Sequence, residues 1–120
     1  MVVIRFSVLF DEIRWGKKRQ TIRPAHMYKH LKPGDKVHCY STKKVEGVRR
    51  PITDKLLFEG ICAEVQIKKW GTIKRNEKIA QADGFFTAAE MEEWFNYKYP
   101  NLKDSAKFRI IKWMGVPNVA

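Results

Sequence analysis

The side chains best suited to chemistry in this chain lie close together near its amino-terminal end: Lys18, Thr21 and Arg23, just after Gly16. In an extended strand side chains repeat every two residues, so Thr21 and Arg23 share a face. Lys18 can curl toward them from the loop after Gly16, where glycine permits a sharp bend. Arg23 offers fixed, forked donors that suit a phosphate or a base carbonyl. Lys18 offers a mobile charge or, if desolvated, a base, and Thr21 a hydroxyl that can donate, accept or attack. The same residues also fit a basic edge strand in which Thr21 serves only β propensity. Asp83 is the next candidate, although a carboxylate directly before Gly84 ordinarily starts a turn or caps a helix. His26 and His30 have i, i+4 spacing but no H-E-x-x-H pattern and no third ligand, so neither a metal nor a cofactor is expected. His38 reads as a strand residue.

Charge points to the class of partner. The formal charge is +11, and residues 1–75 hold 18 Lys and Arg against 7 Asp and Glu, whereas residues 76–120 hold 6 of each. Basic clusters fall at Lys17-Lys18-Arg19, Lys43-Lys44, Arg49-Arg50, Lys68-Lys69 and Lys74-Arg75, interleaved with Tyr40 and Trp70. Cations on one face with aromatics able to stack on bases are the footprint of a polyanion binder, the alternative being a solvated surface. The expected ligand contacts are Lys17, Lys18, Arg19, Thr21 and Arg23. Lys43, Lys44, Arg49, Arg50, Lys68, Lys69 and Trp70 are expected to contact nucleic acid.

The elements that must position these residues follow from periodicity. Val2 to Phe6 reads as a first strand, ending at Ser7 as a helix cap, with Val8, Leu9, Ile13 and Trp15 at helical spacing behind it. Arg19 to Arg23 forms a second strand, stopped by Pro24. Lys32-Pro33-Gly34-Asp35 makes a turn into a strand from Lys36 to Ser41. Thr42 to Asp54, poor in apolar residues, reads as a long basic loop. Leu57 to Lys69 is strand, with Phe58, Gly60 and Cys62 facing one way, Leu57, Ile61, Ala63, Val65 and Ile67 the other, and Gly60 marking a bulge or bend. Asn76 to Ala82 is a short helix, and Thr87-Ala88-Ala89-Glu90 is a capping box that opens a helix with Met91, Trp94 and Phe95 on its core face. Ala106 to Met114 alternates as the closing strand.

About five strands and three helices, with alternating patterns outnumbering solid apolar runs, give an α+β domain over 1–120 built on a curled, mostly antiparallel sheet. An apolar fraction of 44% supports one compact core. No apolar run approaches the roughly 18 residues of a membrane span. The first residues lack a basic region and a small-residue cleavage site, so a cytoplasmic chain is expected. Cys39 and Cys62 have no metal-ligand spacing and read as buried, reduced thiols.

Four landmarks in order resemble the ASCH (activating signal cointegrator homology) domain family of the PUA-like superfamily. They are the G-x-K-x-x-T-x-R stretch of Gly16, Lys18, Thr21 and Arg23, the turn Lys32 to Val37, Ala82-Asp83-Gly84-Phe85, and the closing strand Phe108 to Trp113. The resemblance implies a PUA-like pseudobarrel with flanking helices and a cleft beside the Lys-Thr-Arg strand that takes RNA, a nucleotide or a nucleoside. In one enzymatic branch, the N(4)-acetylcytidine amidohydrolases, a catalytic Glu falls where this chain has Asp83, one methylene shorter. That branch implies a second function, in which Lys18 activates Thr21 or a water, Asp83 handles protons and Arg23 orients the ligand. A protein-interaction module is a third. Additional Lys and Arg near a nucleoside-sized cleft favour RNA, because they serve a phosphate backbone better than a neutral nucleoside. A deep pocket holding Lys18 and Asp83 favours the enzyme, an open basic groove favours RNA, and a flat apolar patch favours a protein partner.

Overall fold

The computed structural model describes residues 1–115. In chain order the elements are β1 (Val2–Phe6), α1 (Phe10–Arg14), β2 (Gln20–Pro24), β3 (Lys36–Lys43), β4 (Ile52–Lys69), α2 (Trp70–Ile73), α3 (Glu77–Ala82), α4 (Ala88–Lys98) and β5 (Lys107–Gly115). The five strands form one sheet in the order β1-β3-β4-β5-β2. β1 runs parallel to β3, and every other pairing is antiparallel. The sheet curls into a half-barrel whose two edges, β1 and β2, approach each other, so that Nη2 of Arg23 on β2 donates to the Arg5 carbonyl of β1 at 2.7 Å. The α+β class and the mostly antiparallel sheet are therefore as the sequence reading has them, with four helices among the described residues where about three are expected.

The interior strand β5, between β4 and β2, shows why the molecule folds this way. Ile111 and Trp113 enter a cluster inside the half-barrel with Ile4, Phe6, Ile13, Val37, Cys39, Leu57 and Cys62. Phe108 and Ile110 enter a second cluster with Ile22, Trp70, Ile73, Ala80, Met91 and Phe95 on the helical side. A strand covered on both faces must be apolar on both, which explains its near-continuous hydrophobic run. Arg109 lies in this run because its guanidinium donates to the carbonyls of Met27 at 2.9 Å and Ala25 at 2.8 Å. Both cysteines are buried and unbonded, and burial pushes the Cys39 thiol up to about 12, leaving it an inert packing group.

Four local expectations are corrected. The segment read as a basic loop is mostly hairpin: β3 extends to Lys43, pairs Thr42 with Thr53 and Lys43 with Ile52, and leaves only 44–51 as the turn. Solvent reaches both faces there, so no apolar alternation marks the strands. Secondly, Leu57 and Cys62, of opposite parity, both enter the inner cluster. The register shift between Cys39 and Tyr40, which pair with Phe58 and Leu56 and leave Leu57 as the extra residue, exchanges the faces. Thirdly, Gly60 is no bulge but a close crossing, where a Cβ would lie 2.6 Å from the Met114 carbonyl. Finally, α1 starts after Leu9, which has a left-handed φ of 60° and caps without a side-chain bond, and Val8 and Trp15 are exposed outside it. The Thr87 cap holds, its Oγ1 accepting from the Glu90 N–H at 3.1 Å.

Candidate functional site

Where the edges of the half-barrel meet, β1, β2, the 7–9 segment, the end of α3 and one face of α4 enclose a pocket of about 260 Å³. Lys18, Thr21, Arg23 and Asp83 all line it, although they are remote in sequence. Asp83 arrives as the C-cap of α3. Gly84 follows at φ 99°, a left-handed turn that costs glycine little, and a Cβ there would meet Leu9 Cδ1 at 2.8 Å. Lys18 is only 6% exposed and Asp83 6%. Lys18 Nζ donates to the Asp83 carbonyl at 2.6 Å and lies 3.3 Å from Oδ2 of its carboxylate. Gln20, unremarked in the sequence, steadies this pair by donating to Asp83 Oδ1 at 3.4 Å and to the Ile79 carbonyl at 3.2 Å.

Burial drives Lys18 below its ordinary range, with the Asp83 carboxylate opposing the shift and Arg23 adding to it. Burial also pushes Asp83 up, with the Lys18 charge and the Gln20 hydrogen bond opposing. Removing two charges from water costs several kcal/mol per ion before their attraction is counted. A small domain that keeps such a pair at a pocket wall rather than in its apolar clusters has placed it where a ligand can meet it.

Thr21, 4% exposed, accepts from Arg23 Nε at 2.9 Å, which leaves its own hydroxyl hydrogen free for another acceptor. The Phe6 ring supports both cations, with Arg23 Cζ 5.0 Å and Lys18 Nζ 5.9 Å from its centroid. At these separations the ring quadrupole attracts them. Across the pocket, α4 presents Glu90, Trp94 and Lys98, successive residues of an i, i+4, i+8 stripe, with Lys98 Nζ 4.8 Å from the Trp94 centroid. Arg5 and Phe85 complete the polar and aromatic lining. The sequence reading missed this wall. The capping box fixed the phase of α4, yet assigned Trp94 to the core stripe, whereas only Met91 and Phe95 are fully buried.

Other expected contacts lie elsewhere. Lys17 is exposed, 6.0 Å from the Trp15 ring, and Arg19 is exposed and donates to the Gly16 carbonyl at 2.9 Å; neither lines the pocket. Lys43, Lys44, Arg49 and Arg50 are exposed on the β3–β4 hairpin. That hairpin adjoins the pocket edge, because Thr42 donates to the Phe6 carbonyl at 3.2 Å and Arg5 to Thr53 Oγ1 at 2.7 Å. Lys68 and Lys69 sit at the opposite end of β4 from the hairpin. Trp70 cannot stack on a base: it is 1% exposed and stacked on Phe95 with ring centroids 4.8 Å apart. It starts α2, and in this position its apolar bulk is better spent in the helical cluster than on the surface. His26 and His30 line a shallow second depression, and no group of three metal-ligating side chains occurs among the described residues. No helix among them is long and apolar enough to cross a membrane.

Comparison with known proteins rests on structure alone, since no family model and no curated protein matches the chain. The ASCH domain from Lactobacillus crispatus superposes with a TM-score of 0.62 at 14% identity, covering 93% of this chain and 77% of that one. The fold is ASCH-like. A protein from Enterococcus faecalis described by the DUF984 family shares it, with a TM-score of 0.59 and 18% identity over 96% of this chain and 75% of that one.

Proposed function

We propose that this ASCH-like domain binds a nucleotide or the terminal nucleotide of an RNA, its base entering the pocket and the adjoining backbone phosphates of an RNA lying toward the basic hairpin. The observation that carries this reading is the enclosure of Lys18, Thr21, Arg23 and Asp83 with Phe6, Phe85 and Trp94 around one cavity of about 260 Å³. Aromatic walls with a few converging donors and acceptors are the usual make-up of a site for a flat heterocycle. The hairpin cations at Lys43, Lys44, Arg49 and Arg50 stand beside the rim at β1, where they serve phosphates rather than the base.

The buried Lys18–Asp83 pair next to a hydroxyl favours a second reading, hydrolysis of an N(4)-acylated cytidine. Thr21 Oγ would attack the acyl carbon while its proton passes to a neutral Lys18 amine. That proton would then move to the exocyclic nitrogen as the C–N bond breaks and the free amine leaves. Water, deprotonated by Lys18, would cleave the resulting Thr21 ester and release the carboxylic acid. The lowered affinity of Lys18 for its proton suits this task. One experiment separates the readings: incubation with N(4)-acetylcytidine followed by chromatography, beside a binding titration with nucleotides on the same preparation. Saturable binding without acetate release supports the binding reading. Release abolished by Thr21→Val supports hydrolysis, and neither binding nor release would refute both.

A further inference from the structure

Six charged side chains line the pocket: the cations Arg5, Lys18, Arg23 and Lys98, and the carboxylates Asp83 and Glu90. Their arrangement is uneven. Asp83 is engaged by Lys18. Glu90 lies two helical turns from Lys98, about 12 Å along α4. Arg23 uses Nε and Nη2 on neutral acceptors, the Thr21 hydroxyl and the Arg5 carbonyl, and its other N–H groups have no protein acceptor among the described residues. Neither Arg23 nor Lys98 has a carboxylate partner among the described residues. Lys98 bends back over the Trp94 ring toward the pocket. Two like charges, neither ion-paired to a carboxylate among the described residues and both held toward one partly enclosed space, repel, and an anion entering between them relieves that repulsion.

We propose that Arg23 and Lys98 form an anion subsite at one end of the pocket, selecting a phosphate-bearing nucleotide over the neutral nucleoside. This rests on the reading that the pocket takes a nucleobase. Trp94, between Glu90 and Lys98 on the same stripe, then serves as the stacking surface. Glu90 at the far end faces the hydrogen-bond donors of the base. Burial, Arg23 and Lys18 all pull Lys98 toward its neutral form, and a bound dianion would reverse that pull. The phosphate could come from a free nucleotide or from an RNA end, which share the recognising chemistry.

The test uses calorimetric titration of the full chain with the four nucleosides, their 5′- and 3′-monophosphates, inorganic phosphate and a short 5′-phosphorylated oligoribonucleotide. One monophosphate is expected to bind at least about 10-fold more tightly than its nucleoside, as a charge-assisted bond to phosphate requires. Inorganic phosphate should compete with it. Lys98→Gln, which leaves both clusters intact, should remove most of this preference, and Lys98→Arg should restore it. Equal affinity for nucleoside and monophosphate, unmoved by Lys98→Gln, would overturn the subsite and leave the base pocket standing. Binding of phosphate and monophosphates irrespective of base, with no nucleoside bound, would uphold the subsite and reject the base pocket. No binding of any of them would reject both. If the oligoribonucleotide binds far more tightly than the monophosphate and loses that advantage at high salt, the phosphate belongs to an RNA end; equal binding assigns it to the free nucleotide.

Discussion

Replacing Asp83 by Asn removes the only carboxylate among the described residues that pairs with buried Lys18, while keeping the side-chain shape. The ammonium retains the Asp83 main-chain carbonyl at 2.6 Å but loses the charge 3.3 Å away. Breaking a buried pair by removing one partner costs roughly 3–5 kcal/mol, and the retained carbonyl places this site near ~3 kcal/mol. For a domain of this size that is a fall of about 10 °C in melting temperature. The pH dependence gives the cause away. Lys18 already titrates below its unfolded value of 10.5, and without Asp83 it titrates lower still. The folded variant therefore gives up this proton at lower pH than the unfolded chain does, so its stability rises with pH through the window below 10.5. The deficit should be greatest near neutrality and shrink in alkali. Urea unfolding at neutral and alkaline pH measures it, with the double variant Lys18→Met, Asp83→Leu as the control that removes both charges and recovers most of the loss. A single variant as stable as the parent at neutral pH, or a deficit independent of pH, would refute a charged buried pair.

Two further expectations concern the rim and the turn. Lys43→Ala with Arg49→Ala should weaken oligoribonucleotide binding for all sequences alike and flatten its dependence on salt by about two phosphate contacts, as read from titrations at several salt concentrations. It should leave a mononucleotide in the pocket unaffected. Gly84→Ala places a methyl 2.8 Å from Leu9 Cδ1 at φ 99°, which should cost roughly 1–3 kcal/mol in thermal unfolding and weaken ligand binding through displacement of Asp83; unchanged stability would contradict the described turn.

The sequence by itself determined whatever depends on neighbours along the chain. Side-chain period identified β1, β2 and β5, the Thr87 capping box placed α4, and the Lys32-to-Asp35 turn and the buried Cys39 and Cys62 were legible from local chemistry. Thr21 and Arg23 share a face because strands alternate, and Lys18 was within reach of them. The tertiary structure alone decided which surfaces these residues meet. Trp70 looks like a stacking aromatic among lysines until the helices fold over β5, when burying its large apolar area outweighs exposure. Trp94 looks like core until the curl of the sheet leaves a gap beside it. Glu90, Lys98 and Gln20 join the site only because the two sheet edges close on α3 and α4, and no periodicity within one element encodes the distance between two. The Lys18–Asp83 contact depends on that same closure: sequence resemblance placed both residues in the cleft, but their charge state comes from the water the folded pocket excludes.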